Sequence, residues 1–177
     1  MNYLEKFKDI RTFIFDVDGV LTNSELIILE SGKLLRKMSV RDGYAIKHAI
    51  RKGYRVIIIT GGKSEGVVSR LQGLGVQDVY SGIDDKVDAY REVVHAYSLQ
   101  PIQILYMGDD FPDIEVMQKV GIAACPKDAA HEVIEIADYI SPKEGGKGCA
   151  RDVIEKVLRL HGNWIEESYE TKSLNSE

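Results

Sequence analysis

The sequence lacks an excess of positive charge. It has 23 Lys and Arg against 28 Asp and Glu, and its formal net charge is -5. Proteins that bind nucleic acid usually present a basic face, so we expect no nucleic-acid partner. A local cluster of Lys and Arg can still bind a small anion.

Long apolar runs are missing as well. No stretch approaches the roughly 20 apolar residues that cross a bilayer. The N-terminal segment, "MNYLEKFKDIR", is charged and has no apolar core of the kind that a signal peptide carries. We therefore expect a cytoplasmic protein that has no membrane partner.

Cysteine is scarce. Cys125 and Cys149 are the only two, and they are not spaced like metal ligands. In a reducing compartment two such thiols are expected to be free. Because the sequence has no His/Cys cluster, it also disfavours zinc.

Apolar, β-branched runs are present, and they alternate with amphipathic segments. This alternation predicts an α/β fold, with a parallel sheet covered by helices on both faces. The length of 177 residues suits one domain, which we place at 1–165, followed by a polar tail at 166–177. The predicted strands are 12–16, 53–60, 103–109, 121–125 and 137–140, and the predicted helices are 42–52, 63–74, 84–97, 110–119, 128–136 and 147–161.

One segment breaks the alternation. Residues 23–40 hold two strand-like runs around "ESGK", which predicts a β-hairpin with Gly32 in its turn. The hairpin leaves the sheet directly after the first strand. It is therefore placed to cover a site at that edge.

Polar residues follow three of the predicted strands: Asp16 and Asp18, then Thr60-Gly61-Gly62, then Asp109-Asp110. Ligands of open parallel sheets bind outside the carboxyl ends of the strands. Since residues i and i+2 of an extended chain face the same side, Asp16 and Asp18 can address one ligand.

Adjacent carboxylates repel each other unless a cation binds between them, and Mg²⁺ prefers oxygen ligands. A cation held by acids favours phosphate chemistry. In that chemistry Asp16 is the candidate nucleophile, and Asp18 is the candidate general acid and then base. Thr60 offers a hydroxyl to phosphate oxygens, and Lys86 offers a positive charge. Asp109 supplies a further metal ligand.

Simpler interpretations stay open for several residues. Asp110 and Asp113 begin a helix, where acids also serve as caps. Lys86 and Lys63 can be surface lysines, and "GGKG" at 145–148 can be a flexible lead into a helix.

Four motifs together resemble the haloacid dehalogenase-like phosphatases: "DVDGVLT", "IITGG", Lys86 in "DDK", and "GDDFPD". Longer stretches, including "RDGYAIKHAIRKGY" and "GGKGCARDVIEKVL", look like the 3-deoxy-D-manno-octulosonate 8-phosphate phosphatase subfamily over about residues 10 to 160. The resemblance implies a three-layer, Rossmann-like sheet with no cap domain. It also implies a homotetramer, in which the hairpin, acting as a flap, and a neighbour's C-terminal segment close the site.

The same resemblance implies a reaction and a set of site residues. The reaction is hydrolysis of the sugar phosphate to phosphate and 3-deoxy-D-manno-octulosonate (KDO), a lipopolysaccharide precursor. The implied Mg²⁺ ligands are Asp16, the backbone carbonyl of Asp18, and Asp109. Asp110 and Asp113 are expected to support the site, and the expected substrate contacts are Gly61, Lys63, Arg70 and Lys147. The subfamily usually has Arg where this chain has Gly62, so Lys63 or Arg70 is expected to replace it.

Three alternatives remain from the sequence. The substrate can be a nine-carbon keto-acid phosphate, which similar motifs serve in sister enzymes. The chain can be a signalling module that keeps its phospho-aspartate, although Asp18 beside the nucleophile argues for hydrolysis. A catalytically silent oligomerisation domain is the third, and the intact Asp16 and Asp18 argue against it.

Overall fold

The structure, a computed structural model, describes residues 3–165. Its centre is a six-stranded sheet with the order β5-β4-β1-β6-β7-β8, in which every neighbouring pair is parallel. The strands are β1 (Thr12–Phe15), β4 (Arg55–Thr60), β5 (Asp78–Ser81), β6 (Ile104–Met107), β7 (Ile122–Cys125) and β8 (Tyr139–Ile140).

Helices cover both faces of this sheet, as the alternation of elements predicts. Side chains of successive strand residues point to opposite faces. Phe13 and Phe15 therefore pack in one layer and Ile14 in the other. One face carries α1 (Tyr3–Phe7), α2 (Val40–Arg51), α3 (Glu65–Gly73) and α7 (Cys149–Leu160), and the other carries α4 (Lys86–Ala96), α5 (Ile114–Met117) and α6 (His131–Ile136). The predicted three-layer fold without a cap domain is confirmed.

The predicted hairpin is also confirmed. It pairs β2 (Ile27–Ile28) with β3 (Leu34–Leu35) in antiparallel register. Gly32 in its turn has φ +78, a left-handed conformation that glycine adopts without strain. The isolated bridge between Thr22 and Met38 closes the base of the hairpin next to the β1 turn.

Two elements are absent from the sequence prediction. Strand β5 lies at the sheet edge, where Asp78, Val79 and Tyr80 are only half-buried, so it lacks the apolar run that marks the inner strands. Helix α1 spans only five residues. The predicted helix at 110–119 is shorter than expected: Pro112 lies in a 3-10 turn over Phe111–Asp113, and α5 follows it.

Two expectations about the chain's organisation stay predictions. The tail predicted at 166–177 lies outside the described residues, and the single-domain boundary at 165 is not tested. Within residues 3–165, no helix is long and apolar enough to cross a membrane.

Candidate active site

The turn after β1 positions the first two acids. The Asp16 backbone N–H extends the β1 ladder by donating to the Met107 carbonyl at 3.1 Å. The Asp16 side chain accepts a hydrogen bond from the backbone of Val17 at 2.7 Å. Asp18 follows in a turn over Val17–Leu21, and its side chain is 37% exposed while that of Asp16 is 8% exposed.

Gly19 in this turn allows a close approach of Asp109. Its φ is +90, and a Cβ built there would lie 1.9 Å from the Asp109 carboxylate. Only glycine therefore lets the end of β6 come so near the β1 turn. As a result the acids of two separate strand ends form one cluster.

That cluster contains Asp16, Asp109 and Asp113, each with a carboxylate oxygen within 4.8 Å of the others. Lys86 supplies a positive charge inside it, because its Nζ lies 3.0 Å from Asp16 Oδ2 and 2.7 Å from Asp113 Oδ1. When all three acids are ionised, the three carboxylates and one ammonium sum to a charge of about -2, which a divalent cation would balance.

The pKa values show the same imbalance. Burial, followed by the charge of Asp113, raises the pKa of Asp16 to about 6 despite the opposing effect of Lys86. Burial, followed by Asp16 and Asp113, raises the pKa of Asp109 to about 8. Although burial alone would lower the pKa of Lys86, Asp16 and Asp113 raise it. The Lys86 amine therefore stays charged, but its single positive charge does not neutralise the three carboxylates.

Asp113 is the best-satisfied carboxylate of the three. Its Oδ1 accepts from Lys86 and from the Tyr106 hydroxyl, at 2.7 and 2.5 Å. Its Oδ2 accepts from the backbone N–H groups of Asp109 and Asp110, at 3.1 and 3.4 Å. A carboxylate has about four lone-pair sites, so these donors occupy Asp113 fully. It is built to orient Lys86 and the Asp109 backbone.

The second strand end lies beside Asp18. Thr60 is buried at the end of β4, and its hydroxyl accepts from the Gly62 backbone at 3.2 Å. A Cβ at Gly62 would lie 2.7 Å from Asp18 Oδ2, whereas one at Gly61 would meet only the Ile83 carbonyl, at 3.4 Å. The glycines therefore leave the backbone of this loop open toward the acids.

The predicted substrate contacts lie in two places. Lys63 and Arg70 line a groove of about 750 Å³ between the hairpin and α3. Lys147 lines a separate hollow together with Arg41 and Arg151, and its amine pairs with Glu144. Within one chain the structure does not bring Lys147 to the groove.

Asp110 is exposed, and its side chain caps the turn at Phe111 with a 2.8 Å hydrogen bond from the backbone. This contact matches the simpler interpretation, a cap. The carboxylate of Asp42, in the first turn of α2, is buried and accepts from the backbones of Gly148 and Arg151, at the start of α7.

Sequence reasoning missed two residues of the site. Arg36 comes from the hairpin and holds Asp18 through two hydrogen bonds, Nε to Oδ1 at 2.6 Å and Nη2 to Oδ2 at 3.0 Å. Tyr106 lies in β6 and donates to Asp113. A polar hydroxyl in an apolar strand three residues before Asp109 is a signal for Tyr106, whereas nothing in the spacing pointed to Arg36.

Comparisons with known proteins give the family. Residues 71–151 match the haloacid dehalogenase-like hydrolase model. The 3-deoxy-D-manno-octulosonate 8-phosphate phosphatase KdsC of Escherichia coli K12 is 36% identical over 163 residues, which cover 92% of this chain and 87% of that protein. The chain belongs to the KDO 8-phosphate phosphatase family of haloacid dehalogenase-like hydrolases.

Solved structures of this family agree with the fold. The Yersinia pestis KDO 8-phosphate phosphatase has a TM-score of 0.88 at 34% identity, covering 91% of this chain and 87% of its own. The Moraxella catarrhalis enzyme, solved with magnesium, phosphate and KDO, has a TM-score of 0.90 at 29% identity, covering 98% and 99%. The family expected from the four motifs is confirmed.

Proposed function

We propose that the chain is a Mg²⁺-dependent phosphomonoesterase that hydrolyses KDO 8-phosphate to KDO and phosphate. The observation that carries the proposal is the cluster of Asp16, Asp109 and Asp113 around Lys86, which is short of positive charge by about one divalent cation. The relatives named for this sugar phosphate, and the KDO in the Moraxella structure, support the choice of substrate.

Mg²⁺ fits this donor set, because carboxylate and carbonyl oxygens are its preferred ligands. We propose Asp16, the backbone carbonyl of Asp18, and Asp109 as its protein ligands. Asp113 takes no ligand role in this proposal, since four donors already occupy its oxygens. When bound, the ion supplies positive charge that lets a carboxylate approach a phosphate dianion.

The chain's own residues then divide the reaction into two steps. In the first, an Asp16 oxygen bonds to phosphorus, the bond between phosphorus and the sugar oxygen breaks, and Asp18 gives that oxygen a proton. In the second, water bonds to phosphorus, Asp18 takes the proton of the water, and the bond between phosphorus and Asp16 breaks. Phosphate and an unchanged enzyme result.

The remaining residues bind and orient in this proposal. Thr60 and the open backbone at Gly61 face the phosphate oxygens, and Lys86 holds Asp16 in place while offering its charge to the phosphoryl group. Lys63 and Arg70 give the groove under the hairpin the positive charge that an acidic sugar needs. Lys147 contacts the substrate only if the hollow that it lines in a second copy of the chain lies next to the groove.

A homotetramer is part of the proposal. Six large apolar side chains of the hairpin segment are exposed by 39% to 73%, and contiguous exposed apolar patches mark interaction surfaces. Another copy of the chain can cover them, and sedimentation velocity measures the resulting mass. The residues are Leu26, Ile27, Ile28, Leu29, Leu34 and Leu35.

Two free, buried thiols, Cys125 and Cys149, suit the reducing cytoplasm that we propose as the location.

The alternative functions that the sequence left open are not favoured. The named relatives are phosphatases of the eight-carbon sugar, so neither a nine-carbon substrate nor a signalling role gains support.

The proposal is tested by comparing kcat/KM for KDO 8-phosphate, a nine-carbon keto-acid 9-phosphate and unrelated sugar phosphates, with Mg²⁺ and with EDTA. We expect Mg²⁺-dependent turnover that is fastest on the eight-carbon sugar. Faster turnover of an unrelated phosphate would overturn the substrate, and full activity in EDTA would overturn the metal.

We also expect the stability of the metal-free protein to fall as the pH rises from 6 to 8. The unfolded chain releases the Asp109 proton near its ordinary pKa of 3.8, whereas the folded protein keeps it to about 8. Between these values the folded state binds more protons, so raising the pH destabilises it. The loss from pH 6 to 8 should be about 2 kcal/mol, measured by urea denaturation in EDTA.

Asp109→Asn is the matched control for this prediction, because it removes the titrating group and keeps the shape. Its unfolding free energy should change far less between pH 6 and 8. Excess Mg²⁺ should stabilise the wild-type protein at pH 8, by binding the folded state, and should do so much less in the Asn variant. If the free energies of unfolding of the two proteins changed equally between pH 6 and 8, the assignment of the pH effect to Asp109 would be wrong.

A further inference from the structure

The guanidinium of Arg36 is the least expected group near the reacting acids. It comes from the hairpin segment, 18 positions after Asp18, and makes two hydrogen bonds to the two oxygens of that carboxylate. Two parallel bonds fix the plane of a carboxylate as well as its position. The Arg36 side chain is only 5% exposed, although most of the hairpin around it is exposed.

The rest of the site leaves Asp18 loosely held. Its other side-chain hydrogen bond among the described residues is with the Thr22 hydroxyl, at 3.5 Å, the limit of a hydrogen bond. A carboxylate that must give and take a proton at a reacting oxygen needs a fixed direction. Arg36 is the group in this structure that provides it.

Gly62 makes the pair possible. A Cβ at this position would lie 2.7 Å from Asp18 Oδ2, closer than real Cβ atoms come, and 3.2 Å from Arg36 Nη2, which is a tight contact. The guanidinium therefore occupies the side of Asp18 that a residue with a side chain at 62 would fill. These are the two atoms that the 3.0 Å hydrogen bond joins.

We propose that Arg36 is a positioning residue for Asp18, and that through it the hairpin orders the proton-transferring carboxylate whenever it lies over the site. The guanidinium uses one lone pair on each Asp18 oxygen and the Thr22 hydroxyl approaches Oδ1, so Oδ2 keeps a lone pair for the proton transfer. The inference rests on the proposed phosphatase function and adds a role that couples hairpin and chemistry. Arg36 Nη1 is buried and has no hydrogen-bond partner among residues 3–165. The guanidinium therefore pairs with Asp18 although this position leaves one of its own nitrogens unsatisfied.

Kinetics of Arg36→Ala and Arg36→Lys test this role. We expect Arg36→Ala to lower kcat roughly 10- to 100-fold, a part of what general acid–base catalysis contributes. KM and inhibition by the product KDO should change less than about threefold. Arg36→Lys should recover part of kcat, because a lysine restores the charge without the two parallel bonds. Lys37→Ala, an exposed neighbour on the same segment, is the matched control and should behave as wild type.

A second variant keeps the proposal testable if Arg36→Ala does not fold. Gly62→Ala retains both charges and forces the pair apart, and it should show the same fall in kcat with little change in product inhibition. An unchanged kcat in these variants would overturn the proposal. Weaker product binding in parallel with the loss of rate would also overturn it, because Arg36 would then contact the sugar directly.

The series also separates this inference from the proposed function. If wild-type enzyme turns over p-nitrophenyl phosphate and not KDO 8-phosphate, the proposed substrate is wrong. The kcat comparison on the aryl ester still decides whether Arg36 acts through Asp18, since the second step is common to both substrates.

Discussion

Asp16→Asn should abolish phosphatase activity and leave the fold intact. The amide has nearly the shape of the carboxylate but cannot form the bond to phosphorus on which the proposed reaction depends. Lys86 would still pair with Asp113 at 2.7 Å, so the buried amine keeps a charged partner. We expect kcat to fall by roughly four orders of magnitude or more, as for removal of other covalent nucleophiles.

The measurement is phosphate release, with circular dichroism and thermal unfolding to confirm the fold. Asp88→Asn is a suitable control, because that carboxylate is exposed and pairs with Arg91 on the surface of α4. Activity of Asp16→Asn within tenfold of wild type would remove the covalent mechanism. The Asn variant is also expected to bind Mg²⁺ more weakly, since one proposed ligand is gone.

Lys86→Met should damage both stability and catalysis. The side chain is 6% exposed and neutralises two carboxylates, Asp16 and Asp113. Removing one partner of a buried ion pair leaves uncompensated charge and typically costs about 3–5 kcal/mol. In the absence of Mg²⁺ we therefore expect a loss of that order in the free energy of unfolding, and a kcat reduced by roughly a hundredfold or more even when Mg²⁺ saturates the enzyme.

Urea denaturation in EDTA and in Mg²⁺, together with steady-state kinetics, checks this prediction. Lys119→Met is the control, because that amine is exposed and pairs with Glu115 one turn away, a contact worth little. A double-mutant cycle with Asp113→Asn measures the coupling between Lys86 and Asp113. Additive effects of the two changes would contradict the proposed role of Asp113 in orienting the lysine.

The sheet and the place of the site follow from the sequence for simple physical reasons. Apolar runs such as 12–16 and 103–109 are typical of strands buried on both faces, and parallel strands bring their carboxyl ends to one edge. The sequence alone therefore predicts that Asp16, Thr60 and Asp109 lie near one another. It does not predict the edge strand β5, because half-buried edge residues need no apolar run.

Contacts between side chains that are distant in sequence are harder to predict. Arg36 reaches Asp18 only because the hairpin folds back over the turn and Gly62 leaves space. The saturation of Asp113 depends on Tyr106, Lys86 and two backbone donors converging on one carboxylate. Such details depend on distances of a few tenths of an ångström, which spacing and periodicity do not encode.

A crystal structure grown with Mg²⁺ and beryllium fluoride tests the central claim most directly, because trifluoroberyllate bonded to a carboxylate imitates an acyl phosphate. We predict beryllium on an oxygen of Asp16, with a magnesium ion held between Asp16 and Asp109. A structure in which residues 16 and 109 lie apart with no ion between them, or in which the fluoride complex bonds to a different side chain, would contradict the account.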